Sequence, residues 1–294
     1  MTSPFVRRRR LGAELRALRE QRGLTADDVA RVLCYSRMKI SRIENGHNRP
    51  NLVEIMKILD YLEVTGEKYQ QLVQIAREGA ERGWWDEYGD AMGRRQRIYA
   101  DIESGAATIR EYHQTTLPAL LQSPEFNRVL IELDKAQGTE LTYVPERAME
   151  ARQRRQQVIF QPNGPSYEAI LDEFVLRRLA APASVMAHQF RYMVDVATRQ
   201  PRLTIRILPL DARLAPGRLP RSAFTLYTFS DPADPPLAIA ETSTADVIHI
   251  DPKEVASYEQ LYDRLHRASL PPLESISMLA RVAEELDEQE GSTT

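Results

Sequence analysis

Apolar positions recur at helical spacing through the first part of the chain and change to short β-branched and aromatic runs further on. Leu11, Leu15 and Leu18 mark a first helix, which Gly23 stops. Thr25-Ala26-Asp27-Asp28 has the capping-box pattern, with Thr25 as cap and Asp28 reaching back. Val29, Ala30 and Leu33 give this second helix its buried face, and only Cys34 and Tyr35 separate it from residues 36–46. In that stretch Ser36 is the N-cap and Gly46 supplies the left-handed end. Ile40 and Ile43 face one way, while Arg37, Met38, Ser41 and Arg42 lie opposite. Asn51 caps a fourth helix with the stripe Leu52, Ile55, Met56, Leu59 and Leu62. Four short helices over residues 1–65 close a small core.

Residues 79–93 form a junction. Glycines bound it, and it holds both tryptophans, Trp84 and Trp85, which are too large to leave in water cheaply. They are expected to pin the first domain to the remainder of the chain or to a second subunit. Beyond them, strands are expected at 166–171, 203–208, 224–229, 237–240 and 247–250. Helices are expected at 125–133, 145–160, 182–199, 252–268 and 273–286. The fold class is therefore multidomain: an all-α helix-turn-helix N-terminal domain followed by an α+β C-terminal domain. The expected bounds are 1–78 for the first domain, 79–110 for the junction, 111–286 for the α+β domain and 287–294 for a disordered tail.

The order helix, short turn, helix, with an arginine-rich outer face on the second member, suits the DNA major groove, where arginine can pair twice with guanine. Arg37, Met38, Ser41 and Arg42 are the base-edge candidates. Lys39 and Arg49 are candidate phosphate contacts, and Thr25 caps helix 2 toward a phosphate. Charge agrees. Residues 1–49 carry eleven Arg and one Lys against five acidic residues, a surplus of seven, whereas the whole chain is at −3. The remainder is thus at −10, and the positive charge is local to the helix-turn-helix. The run Arg7-Arg8-Arg9-Arg10 has two readings. One is an arm on the phosphate backbone or in a minor groove, with Arg8 and Arg10 touching DNA; the other is a solvated, frayed terminus.

Several classes are disfavoured. No apolar run approaches the ~18 residues of a membrane span, and no signal peptide is evident. The single cysteine, Cys34, excludes an intramolecular disulfide framework and fits a reducing cytoplasm; it is expected to be small and partly buried. The five histidines are scattered, with no metal-ligand spacing, so neither metal nor cofactor is expected. Asp246, His249 and Asp251, with Glu241 nearby, are the best catalytic constellation. Strand alternation sets Asp246 on the opposite face from the other two, so a solvated strand end is the expectation. Asp172-Glu173 is a helix-start acidic pair. No catalytic residue, and no enzyme, is expected.

The N-terminal part resembles the Cro/repressor-type helix-turn-helix family, the XRE family. The matching residues are Leu15-Arg16-Ala17-Leu18-Arg19-Glu20, Gly23-Leu24-Thr25, Val29-Ala30 and Ile40-Ser41-Arg42-Ile43-Glu44-Asn45-Gly46, with Pro50 following. The resemblance implies a structural pair between Arg19 and Glu44. It departs at Cys34, where the family usually has glycine, and at Ala26, where a polar residue commonly touches DNA. Nearly the whole chain is similar to a narrower group, the actinobacterial WhiJ-like regulators. The motifs are Leu117-Pro118-Ala119-Leu120-Leu121-Gln122, the Arg- and Gln-rich 147–157, and Leu171-Asp172-Glu173-Phe174-Val175-Leu176-Arg177-Arg178. Ile205-Arg206-Ile207-Leu208-Pro209, Ser222-Ala223-Phe224-Thr225-Leu226 and Ala240-Glu241-Thr242 continue the match. It departs at 120–122 and 212–221. Kinship implies an antitoxin-like arrangement with a small, neighbour-encoded protein partner.

The expected function is a sequence-specific transcriptional regulator, binding double-stranded DNA as a homodimer on half-sites about 34 Å apart or a multiple of that. The rivals are an antitoxin-like interaction protein and a ligand-gated repressor with its ligand within residues 166–250. A membrane partner is not expected.

Overall fold

A computed structural model describes residues 2–136, 144–214, 219–242 and 245–291. The chain forms two compact units. The first comprises Met1–Glu87, Arg97–Ala106 and Phe229–Pro235, and the second comprises Tyr88–Gln96, Ala107–Thr228 and Pro236–Thr294. The molecule is thus multidomain, with a helical N-terminal region followed by a mixed α and β region.

The first unit is built on helices α1 (Pro4–Gln21), α2 (Ala26–Val32), α3 (Arg37–Glu44), α4 (Leu52–Tyr61) and α5 (Gly66–Ala80). Ser3 caps α1, its hydroxyl accepting from Val6 N, and Pro4 takes the first helical position, where a missing N–H costs nothing. Thr25 and Asp28 form a complete capping box on α2, and Ser36 and Asn51 cap α3 and α4. Leu11, Leu15, Val29, Ile40, Ile55, Leu59 and Leu62 meet in one core, which Leu72, Ile75 and Ala76 of α5 complete. A fifth helix closes what four were expected to close. On α4, Met56 is 40 % exposed and Ile58 takes the core position instead. Gly12 permits α1 and α3 to touch, since a Cβ there would lie 2.4 Å from the Glu44 carbonyl oxygen.

The expected junction at 79–110 is ordered. A 3-10 segment spans Trp84–Met92, helix α6 spans Gly93–Gly105, and strand β1 (Ala106–His113) comes next. Trp84 and Trp85 meet edge to face with ring centroids 5.9 Å apart, and Trp85 is buried.

The second unit holds β2 (Ser166–Asp172), β3 (Leu203–Leu208), β4 (Phe224–Phe229), β5 (Leu237–Ala240) and β6 (Val247–His249), in the sheet order β3-β2-β1-β4-β5-β6. β1, β2 and β3 are parallel, with His113 opposite Leu171 and Tyr167 opposite Leu203, whereas β4, β5 and β6 are antiparallel. Its helices are α7 (Pro124–Ala136), α8 (Pro145–Gln156), α9 (Phe174–Arg177), α10 (Ala183–Arg199), α11 (Pro252–Ala268) and α12 (Pro272–Gly291). α10 and α12 pack along each other and on β3. α11 brings Val255, Tyr262 and Leu265 to a core of Tyr112, Ile170, Leu208, Phe224, Leu226 and Ala238. Helix α12 continues through Gly291, so the disordered tail expected from 287 is helical that far, and residues 292–294 lie outside the described residues. Residues 215–218, inside the departing stretch 212–221, also lie outside them.

Three buried glutamines, Gln122, Gln156 and Gln189, serve packing. Gln122 Nε2 donates to Leu117 O at 2.9 Å, and Gln156 Nε2 donates to Ala119 O at 3.1 Å. Gln189, wholly buried, donates to Leu121 O and accepts from Ser123 N. These bonds satisfy backbone groups that a buried turn would otherwise leave orphaned.

Candidate nucleic-acid interface

Helix α3 is held from its inner side. Ile40 is 2 % exposed, and Ser36 Oγ accepts from Lys39 N at 3.1 Å. Arg19 Nε donates to Glu44 Oε1 at 2.6 Å and its Nη2 to Glu44 Oε2 at 2.9 Å, a two-pronged pair at the end of the helix. The Glu44 hydrogen bond pushes the Arg19 guanidinium above its ordinary value, against the effect of burial. Arg16 Nη2 donates to Asn45 Oδ1, and Asn45 Nδ2 donates to Ser41 O, so the turn after α3 is tied to α1. An arginine–carboxylate pair this well shielded fixes the pose of α3 rather than offering charge outward.

The outer side of α3 is open. Arg37, Met38, Ser41 and Arg42 are all exposed, Met38 at 64 %. Arg42 has no ion-pair partner among the described residues, and Arg37 Nε lies 3.6 Å from Asp27 Oδ2. Arginines able to swing free beside a methionine can reach base edges, and a helix anchored underneath holds their register. Lys39 is placed differently: its Nζ pairs with Glu54 at 2.5 Å and sits 4.2 Å from the centre of the Tyr35 ring. Arg49 pairs with Asp86 at 2.5 Å. Thr25 caps α2, but its hydroxyl donates to Asp28 Oδ2 at 2.6 Å, and these bonds from Thr25 hold the Asp28 carboxyl below its ordinary value. A carboxylate therefore already occupies the start of α2.

The arginine run is neither an arm nor a frayed terminus. It forms the first turns of α1, and distant carboxylates consume most of its charge. Arg10 is 6 % exposed, its Nη1 donating to Asp231 at 2.7 Å and Asp234 at 3.1 Å. Arg7 joins the same two carboxylates and Glu78. Arg8 donates to Gly79 O at 3.2 Å and to Asp101 at 3.1 Å. Asp101 also accepts from Ser3 Oγ and Phe5 N. The Ala233 backbone and the Arg10 side chain hold Asp231 well below the usual carboxylate range, whereas burial pushes Asp101 and Asp234 up. Arg8 and Arg10, expected to touch DNA, are both engaged by groups of their own unit. No local signal marks Asp101, Asp231 or Asp234, because each lies more than 90 positions from its arginine.

Cys34 is exposed, not partly buried, and takes the left-handed conformation with φ +55°. The residues weighed for catalysis are dispersed in role. His249 pairs with Glu254, Asp251 caps α11, and Asp246 pairs with Arg95. Among the described residues, no three His, Cys, Asp or Glu are grouped to hold a metal ion, and no helix is long and apolar enough to cross a membrane.

No curated protein and no solved structure matched the chain. Residues 10–72 match a family described as a helix-turn-helix domain, which covers α2 and α3 and carries DNA binding with it. Residues 96–281 match the family described as Domain of unknown function (DUF5753), and the chain belongs to that family.

Proposed function

We propose that this protein is a sequence-specific transcriptional regulator that binds double-stranded DNA as a homodimer, with α3 in the major groove. The observation that carries the reading is the outer face of α3, where Arg37, Met38, Ser41 and Arg42 stand exposed together over an anchored inner face. Arg37 and Arg42 read base edges, and Arg49 and Lys39 exchange Asp86 and Glu54 for phosphates on binding. One such helix touches only a few base pairs, which supports two half-sites about 34 Å apart. The sequence resemblance supports placing the protein among the XRE-family, WhiJ-like regulators of actinobacteria, working in the cytoplasm and catalysing no reaction.

Binding of the full chain to the DNA upstream of its own coding region, against a scrambled duplex and across a salt series, tests this. Tight binding to the first, with discrimination lost in Arg42→Ala, is the expected result. Equal binding to both duplexes, with the same steep salt dependence, would leave only the electrostatic attraction and overturn sequence-specific reading.

A further inference from the structure

Strand β4 opens with Phe224, whose ring packs 5.8 Å from Tyr112 near the carboxyl end of β1. β1 is where the sheet order divides, with β2 and β3 on one side and β4 to β6 on the other. A cavity of about 390 Å³, within the range of small-molecule sites, lies between the start of β4, the end of β6 and α11. Its floor is aromatic: Phe224 and Tyr258 have ring centroids 5.2 Å apart, and His249 lies 5.0 Å beyond Tyr258. Leu261 and Leu219 add apolar wall, and Leu219 is held 67 % exposed at the rim.

Three polar groups of the wall, those of His249, Glu254 and Tyr258, are matched to one another. His249 Nδ1 lies 2.9 Å from Glu254 Oε2, and its Nε2 lies 3.4 Å from the Tyr258 hydroxyl. Arg221 also lines the cavity and has no carboxylate partner among the described residues. An aromatic floor with an unpaired guanidinium at its edge suits one class of molecule.

We infer that this cavity binds a small amphipathic anion, with an aromatic or branched apolar body on Phe224 and Tyr258 and a carboxylate-like group on Arg221. The site is separate from the DNA-reading face of α3, and its test does not use DNA.

The probe is 1-anilinonaphthalene-8-sulfonate, an aromatic anion that fluoresces when buried, beside its uncharged skeleton N-phenyl-1-naphthylamine, titrated into the full chain. Arg221→Ala, at an exposed side chain, is expected to weaken the sulfonate about tenfold and the uncharged probe less than twofold, since only the sulfonate loses a charged partner. Ser257→Trp, on the exposed lip of the cavity, is expected to weaken both about tenfold by filling it. Thermal denaturation checks that each variant is folded. Folded variants that bind both probes like the parent would overturn the site. Loss of both probes in Ser257→Trp, with no effect of Arg221→Ala on the sulfonate, would overturn its preference for anions.

Discussion

Arg10 and Arg42 belong to one helical unit and to two basic stretches that look alike in composition. Arg10 is 6 % exposed and shares its Nη1 between Asp231 and Asp234. Arg42 stands on the open face of α3 with no ion-pair partner among the described residues. The surplus of seven positive charges over residues 1–49 therefore overstates what the unit can offer to phosphate. Arg7, Arg8 and Arg10 are neutralised by acidic residues outside that stretch, and Arg19 by Glu44 within it. Charge along a sequence measures attraction to DNA only after the partners supplied by the fold have been subtracted.

The sharpest way to break this comparison is to make the same substitution in both places. Arg10→Met leaves Asp234, 5 % exposed in its side chain, facing a weakened partner set. Breaking a buried pair from one side costs about 3–5 kcal/mol, with Arg7 here retaining part of the field. A loss of about 3 kcal/mol by denaturant unfolding is expected, against less than about 0.5 kcal/mol for Arg42→Met at an exposed site. Equal losses at the two positions would remove the distinction.

DNA supplies the converse measurement. Each phosphate neutralised adds about 0.9 to the slope of log affinity against log salt. Arg8→Ala is expected to leave that slope where it was, because Arg8 is engaged by Gly79 and Asp101. Arg49→Ala is expected to lower it by about 0.9, since the pair with Asp86 is partly exposed and exchangeable. A slope that falls with Arg8→Ala would restore the terminal run as a DNA arm.

The second unit sharpens the contrast, because its buried ion pair contains a histidine, whose charge depends on pH. His113 is buried on β1, with Nε2 3.1 Å from Glu111 Oε2, and Glu111 also accepts from the Tyr167 hydroxyl at 3.0 Å. Burial pulls the His113 imidazolium down, but the hydrogen bond and charge of Glu111 outweigh it, so its pKa is raised above 6.5. A raised pKa contributes stability that is complete below the unfolded value and is lost as pH rises through the folded one. The melting temperature of this unit is expected to fall as pH rises above the ordinary histidine value, and Glu111→Gln to flatten that dependence. The pair Arg19–Glu44 contributes no such dependence, because arginine stays charged throughout.

The same physics decided which elements could be read from sequence. β3 alternates buried and half-buried positions, and β5 is buried throughout, so their apolar runs were legible over the residues they occupy. β1, at the division of the sheet, was not, because Thr108, Arg110, Glu111 and His113 interrupt its pattern. Thr108, Arg110 and Glu111 find partners remote in sequence, in Thr228, Glu259 and Tyr167, and only His113 is paired locally, with Glu111. The start of α1 at Pro4 was hidden likewise, since four adjacent arginines become a helical turn only with Asp101, Asp231 and Asp234 against them. The outer face of α3 was legible because caps, apolar spacing and exposed arginines are local features. Whatever required a carboxylate from across the chain was not.

The smallest expected effect concerns the turn between α2 and α3, which fixes the angle at which the exposed arginines are presented. Cys34 holds φ +55° there, a conformation in which a side chain crowds the backbone. That crowding costs roughly 1–2 kcal/mol for an L-residue, whereas glycine adopts it freely. Glycine also loses more chain entropy on folding, by about 0.5–1 kcal/mol. Because the Cys34 side chain is exposed, little packing is lost with it. Cys34→Gly is therefore expected to stabilise the unit by about 0.5 kcal/mol, read as a small rise in melting temperature, with DNA affinity within about twofold of the parent. Lower stability would mean that the thiol makes a contact in the turn worth more than the strain it imposes. Unchanged stability with weakened DNA binding would place the residue itself at the nucleic-acid surface.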